Sequence, residues 1–224
     1  MLTIDVISDV ICPWCFIGKR RLEKALSGRP AAVRWHPFQL NPDMPREGID
    51  RKSYRIAKFG SWARSLELDA RVAAAGEDEG IAFNFGRMAR TPNTLDAHRI
   101  IWLAGERGVQ DAVVETLFLA YFTEGEDLSD RATLAEVAAD AGLDRAEVYE
   151  LLASDKGIDV VQAGEEQARG LGVSGVPFFV VNGRVALSGA QPPELFRQVF
   201  EQAEEAAVAG EACKVDPATG KREC

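Results

Sequence analysis

Ser8-Asp9-Val10-Ile11-Cys12-Pro13-Trp14-Cys15-Phe16-Ile17-Gly18 decides the reading of this chain, because it joins two different periodicities. The preceding residues, Leu2-Thr3-Ile4-Asp5-Val6-Ile7, alternate and are rich in β-branched side chains, which predicts a strand. From Cys15 the pattern turns helical and runs to about Leu26, with Leu22, Ala25 and Leu26 on an inner face and Gly28-Arg29-Pro30 as the stop. Val33-Arg34-Trp35-His36-Pro37-Phe38 then reads as a second strand. Two strands separated by one helix have the spacing of a parallel βαβ unit.

Further along, the strand signal nearly vanishes between about Asp50 and Leu171. Helical segments are predicted near Trp62–Ala75, Thr94–Arg107, Gln110–Phe122, Arg131–Ala141, Arg145–Ala153 and Lys156–Arg169, with Asn93, Ser129 and Asp144 as candidate N-caps. Strand character returns at Val176-Pro177-Phe178-Phe179-Val180-Val181. Asn182-Gly183 predicts a two-residue hairpin turn into Arg184–Ser188, and Pro192-Pro193 opens a last helix through about Ala209. Neither the βαβ half nor the ββα half can cover a sheet alone, so together they form one domain. The expected fold is α/β, a thioredoxin-like domain formed by residues 1–49 and 171–210. A large all-α insertion occupies 50–170, and a Cys-containing tail of residues 211–224, without periodicity, is expected to be mobile.

Cys12-Pro13-Trp14-Cys15 falls where the first strand becomes the first helix. The first N–H groups of a helix lack internal partners, and with the helix dipole they favour a negative charge. Cys12 stands at that end, so its thiolate is expected to be the nucleophile, and two intervening residues put Cys15 within reach of a mixed disulfide on Cys12. Pro13 suits the first helical turn, and Trp14 offers a flat apolar surface beside the sulfur. Structural zinc needs four ligands, and only one such pair occurs, so no metal site is expected. Val176-Pro177 lies between the irregular Gly172-Val173-Ser174-Gly175 and a strand, where an X-Pro bond is a candidate cis peptide.

Composition narrows the function classes. The 224 residues carry a net charge of -9, which disfavours nucleic acid and anionic membrane surfaces as partners. No apolar run is long enough to span a bilayer. Met1-Leu2-Thr3-Ile4-Asp5-Val6 has an early acid and no basic start, unlike a signal peptide, so a cytoplasmic location is expected. Structural disulfides are rare there, so a close cysteine pair points to redox chemistry. Nothing in the sequence fixes the oligomeric state.

The active-site segment resembles that of the DsbA-like thiol–disulfide oxidoreductases of the FrnE group. The resemblance extends to His36-Pro37-Phe38-Gln39-Leu40-Asn41-Pro42, Asn93-Thr94-Leu95-Asp96-Ala97-His98-Arg99, Gly172–Phe179 and Ser188-Gly189-Ala190-Gln191-Pro192. It implies a cis Val176–Pro177 facing the cysteines, with Val176 offering its backbone to an extended peptide or to glutathione. Relatives include 2-hydroxychromene-2-carboxylate isomerases and kappa-class glutathione transferases, in which a serine stands at the position of Cys12. By that carry-over Ser188, Gly189, Ala190 and Gln191 are candidate glutathione-binding residues. Trp14 replaces the histidine usual in periplasmic DsbA, which implies a less oxidising pair.

The resemblance thus implies disulfide exchange with protein or low-molecular-weight thiols, with no resident cofactor and glutathione as a candidate co-substrate. The alternative is a glutathione-dependent isomerase or transferase acting on a small aromatic metabolite. Other residues carry two readings. His98 is either a packed helix histidine or a residue of the substrate cleft. His36 reads as structural. Asn41 and Asn93 suit ligand contact as well as turns or caps, and Phe83, Phe85, Phe118, Tyr121 and Phe122 suit core or cleft wall. Cys213 and Cys224 are either incidental thiols or a second redox pair relaying electrons to or from Cys15.

Overall fold

The computed structural model describes residues 1–206 in full, with the backbone alone of 207–212, 214–215 and 222–223. Strand β1 (Leu2–Ser8), helix α1 (Pro13–Leu26) and strand β2 (Ala31–Pro37) form the predicted parallel unit, paired in register from Leu2 with Ala31 to Ser8 with Pro37. The insertion contains β3 (Ile49–Asp50), α2 (Arg51–Phe59), α3 (Trp62–Glu77), β4 (Arg90–Thr91), α4 (Leu95–Arg107), α5 (Gln110–Leu119), a π-helical turn (Ala120–Glu124), α6 (Arg131–Asp140), α7 (Arg145–Leu152) and α8 (Ile158–Gly170). The chain returns as β5 (Phe178–Val181), β6 (Val185–Ser188) and α9 (Pro193–Ala212), followed by the short pair β7 (Lys214–Val215) and β8 (Arg222–Glu223).

The four main strands lie in the order β2-β1-β5-β6, with β1 antiparallel to β5. The alternation of β1 sorts its side chains by face. Leu2, Ile4 and Val6 join the main core, which also holds Leu22 of α1 and Phe196 and Phe200 of α9. Ile7 points the other way, to Phe38, Ala168 and Val173. Ala168 belongs to α8, so the last helix of the 50–170 segment covers the back of the sheet. Phe16 of α1 stacks on Phe118 of α5 at 5.1 Å between ring centroids, which locks the insertion onto the active-site helix.

Several boundaries differ from the sequence expectation, each for a local reason. Helix α2 carries no apolar stripe, and Arg51 is its one buried residue; its start is fixed by Asp50, whose carboxylate accepts from the Ser53 N–H at 2.7 Å. Asp144 caps α7 as predicted. At α6 the cap is Asp130 and not Ser129, whose hydroxyl is engaged by Asp127. Asn93 stands one residue before the cap position of α4, where its Oδ1 accepts from the Leu95 N–H at 2.9 Å. The hairpin loop has three residues, 182–184, because Val181 pairs with Val185; Asn182 and Gly183 hold positive φ of 52° and 64°. Helix α9 continues to Ala212, past the predicted end near Ala209. Cys213 and Cys224, read as either incidental thiols or a second redox pair, lie outside the described residues.

Candidate active site

Cys12 is the residue immediately before α1, with extended backbone (φ −92°, ψ 109°), and Pro13 occupies the first helical position. The Cys12 N–H donates to the Asp9 carbonyl at 3.0 Å and the Cys15 N–H to the Cys12 carbonyl at 2.9 Å, which winds the two cysteines into a tight first turn. No side chain caps the helix and no acid lies in its first turn. The unpaired N–H groups there are therefore left to whatever negative charge develops nearby.

Both thiols are free and both are buried, Cys15 more deeply, at 1 % exposed. Burial pushes the Cys15 thiol well above its ordinary value, and the adjacent Cys12 pushes the same way. The Ser8 hydroxyl and the Asp9 backbone pull against it.

The Val176–Pro177 bond is cis, and the Cys12 thiol donates to the Val176 carbonyl oxygen at 3.5 Å. This approach depends on Gly18. A Cβ on Gly18 would stand 3.0 Å from the Pro177 ring, 3.1 Å from Phe179 and 3.6 Å from Ala190. Gly189 belongs to the same edge, since its N–H donates to the Pro177 carbonyl at 2.8 Å. The Ala190 carbonyl accepts from Arg21 at 2.6 Å, and Gln191 Nε2 donates to the Ser188 carbonyl at 2.9 Å. Residues 176–177 and 188–191 therefore gather beside Cys12 across Gly18.

A cleft of about 440 Å³ opens on Cys12 from the direction of the insertion. Ile11, Cys12, Pro13 and the exposed Trp14 line it on the α1 side, and α2 and α3 line it on the other with Arg51, Arg55, Lys58 and Arg71. Asp69 is the one carboxylate among the lining residues. It pairs with Arg51 at 2.7 Å and also with Arg55, whose Nε donates to Ser65 Oγ at 2.7 Å. Lys58 donates to the Tyr54 hydroxyl, which donates in turn to Asn41 Oδ1, both at 2.7 Å. Phe85, Tyr121 and Phe122 supply apolar wall. In a chain of net charge -9, the mouth of the reactive cysteine is locally cationic.

Two sequence candidates stand elsewhere. His98 does not line this cleft. It lies on the inner face of α4, beside the buried Ala97 and Ile101, and its Nε2 faces the Asp9 carboxylate at 3.5 Å beneath the β1–α1 turn. Asn93 is buried, and its Nδ2 donates to the Met44 carbonyl at 2.6 Å. Asn41 does line the cleft, with a buried Nδ2 that has no hydrogen-bond partner. Sequence reasoning missed the cleft cations. Their signal was present, because Arg51, Arg55 and Lys58 recur at i, i+4 and i+7, one face of a helix. Among the described residues, no group of three or more His, Cys, Asp or Glu converges as a metal site would require, and no helix is long and apolar enough to cross a membrane.

The DSBA-like thioredoxin domain family matches residues 3–201. Over its whole length the chain superimposes on a probable DsbA oxidoreductase from Streptomyces coelicolor, with 32% identity, 99% of that chain covered and a TM-score of 0.85. Two more distant structures share the fold. One is a 2-hydroxychromene-2-carboxylate isomerase, at 16% identity and TM-score 0.69, covering 95% of this chain and 100% of the other. The second is the cytosolic disulfide reductase DsbM from Pseudomonas aeruginosa, solved with GSH, at 18% identity and TM-score 0.59, covering 93% and 99%.

Proposed function

Because the chain belongs to the DSBA-like thioredoxin domain family, we propose that it is a FrnE-type thiol–disulfide oxidoreductase working through Cys12 and Cys15. The observation that carries this reading is the position of Cys12 Sγ, at the uncapped start of α1 and 3.5 Å from the Val176 carbonyl, with a second thiol buried one turn behind. The first helical N–H groups stabilise negative charge as the Cys12 sulfur attacks a substrate disulfide. One substrate sulfur leaves as thiolate and the other stays bonded to Cys12. Cys15 then attacks Cys12 Sγ, and the second substrate thiol departs. The Val176 backbone beside the sulfur is placed to align an extended substrate segment as an added strand would be.

The chemistry needs no resident cofactor. Glutathione fits as a co-substrate, since the cationic wall of the cleft suits a small thiol bearing carboxylates, and the fold neighbour DsbM was solved with GSH. In a cytoplasmic setting the protein acts as a reductase or isomerase. Even a pair as oxidising as about −120 mV is held reduced against a poise of roughly −220 to −320 mV.

The test is a trapping experiment. Replacing Cys15 by Ala should accumulate a mixed disulfide on Cys12 and stop turnover, whereas Cys12→Ala should capture nothing. Capture by the Cys12→Ala variant would sink the proposal. Glutathione-dependent conversion of an aromatic metabolite that persists in a Cys15→Ser variant, with exchange absent from the parent protein, would instead make it an isomerase.

A further inference from the structure

The cations of the substrate cleft are not equivalent. Arg51 and Arg55 spend their charge inside the wall. Both bind Asp69, and Arg55 also donates to the hydroxyl and carbonyl oxygens of Ser65, at 2.7 and 3.2 Å. Lys58 and Arg71 are exposed on the same wall, and among the described residues neither pairs with a carboxylate. Lys58 is nevertheless held in place. Its Nζ donates to the Tyr54 hydroxyl at 2.7 Å and lies 5.1 Å from the centre of that ring. The Tyr54 hydroxyl donates to Asn41 Oδ1 at 2.7 Å. The N–H of the adjoining Leu40 donates to Asp9 Oδ2 at 2.7 Å, and the Asp9 carbonyl accepts the Cys12 N–H at 3.0 Å. This run of bonds ties the Lys58 ammonium to the turn that carries the nucleophile, so its place relative to Cys12 is set before a substrate arrives.

We infer that Lys58 and Arg71 are specificity-determining residues, and that the disulfide taken at Cys12 is a low-molecular-weight one bearing a carboxylate on the arm that enters the cleft. The inference rests on exchange at Cys12–Cys15 and narrows its substrate. The cleft, at about 440 Å³, falls in the range that takes small molecules, roughly 300–1,000 Å³. Its four cations face one carboxylate, Asp69, which Arg51 and Arg55 already occupy. Lys58 and Arg71 are left for the substrate, while the chain as a whole carries -9 and repels anions elsewhere. Ile11, Trp14, Phe85 and Phe122 give the body of that arm an apolar bed. A cationic arm meets like charge there and is turned away.

Two chromogenic disulfides test this. One, 5,5′-dithiobis(2-nitrobenzoate), carries two carboxylates, and the other, 4,4′-dithiodipyridine, carries none. With either, the Cys12 thiolate bonds to one sulfur of the probe, the probe's S–S bond breaks, and the other sulfur departs with the bonding pair. The ratio of the two second-order rate constants cancels any change in the reactivity of the thiol itself. In a Lys58→Gln, Arg71→Gln double variant that ratio, anionic over neutral, should fall roughly tenfold at low ionic strength, the low end of steering by a charged cleft. At about 1 M salt, where the screening length is about 3 Å, the parent's ratio should drop towards the variant's. Lys52→Gln, on the same helix but beside Trp62 and Leu66 in a neighbouring hollow, should keep the ratio within about twofold of the parent's. A double-variant ratio within about twofold of the parent's would overturn the inference. So would an equal fall in Lys52→Gln, because net charge and not the cleft would then be responsible. A parent protein that reacts with both probes but forms no Cys12–Cys15 disulfide would instead overturn the exchange reading itself.

Discussion

The two halves of the insertion are held together by different forces. From α4 to α7 the packing is apolar. Ile100, Leu103, Val113, Leu117, Phe118, Leu134, Val148 and Leu152 are all buried. The fully buried cation there, Arg99, spends its donors on the carbonyls of Leu151, Ser154 and Lys156 and on Asp96. In α2 and α3 the buried set is polar: Arg51, Ser65 and Asp69, with Val72 as the apolar exception apart from Gly76. Arg51 and Arg55 share one carboxylate, and Arg51 sits over the rings of Trp62 and Phe85 at 5.9 and 5.6 Å. An element held by charges on aromatic faces has little apolar burial behind it, so it opens at lower cost than the global fold. The chain places its cleft wall on that element and its rigid platform on the other.

The contrast breaks first in the apolar half. Phe118→Ala removes the ring stacked on Phe16 and should cost about 3–5 kcal/mol in urea denaturation. A loss near 1 kcal/mol would mean that the platform is no better packed than the wall. Next is Asp69→Ala, which strands two arginines. It should lower hydrogen-exchange protection in α2 and α3 by about 3 kcal/mol while α4 to α7 keep theirs; equal loss in both halves would show a single cooperative unit. The smallest effect is a pH effect at the far end of the wall. Burial works to raise the Glu79 carboxyl, but bonds from Lys24 and Arg21 of α1 outweigh it and leave the carboxyl below its ordinary value. A group so lowered stabilises the fold above about pH 4.5, and that contribution disappears as pH falls through the folded value. Exchange from the C-terminal turn of α3 should therefore rise a few-fold on acidification, the scale of an ion pair open to solvent on one side. A Glu79→Gln variant should show no such rise.

What the sequence displays is what is encoded locally. β1, α1, β2, the hairpin and α9 announce themselves by alternation, helical spacing, Asn182-Gly183 and a proline at a helix start, and Cys12 and Cys15 are neighbours along one turn. Helix α2 was missed because the helical period of Arg51-Lys52-Ser53-Tyr54-Arg55-Ile56-Ala57-Lys58-Phe59 is carried by the cations Arg51, Arg55 and Lys58 and not by an apolar stripe. Its order comes from Asp69 and from rings more than ten residues away. The meeting of Asp9 with His98 joins residues 89 positions apart, and nothing near either one foretells it. Of the two readings of His98, packed helix histidine or cleft residue, the first is the one α4 realises, because it turns that face into the interior.

The hydrogen atom that serves as the side chain of Gly18 also sets a clearance. The backbone of helix α1 at Gly18 packs directly against the Pro177 and Phe179 rings, and the attacking sulfur rides on the helix while its guide carbonyl rides on the Pro177 turn. A single methyl would press on both rings from a position that touches neither sulfur nor substrate. The reach of the chemistry is thus gauged by the smallest residue in the helix, one turn beyond the second thiol.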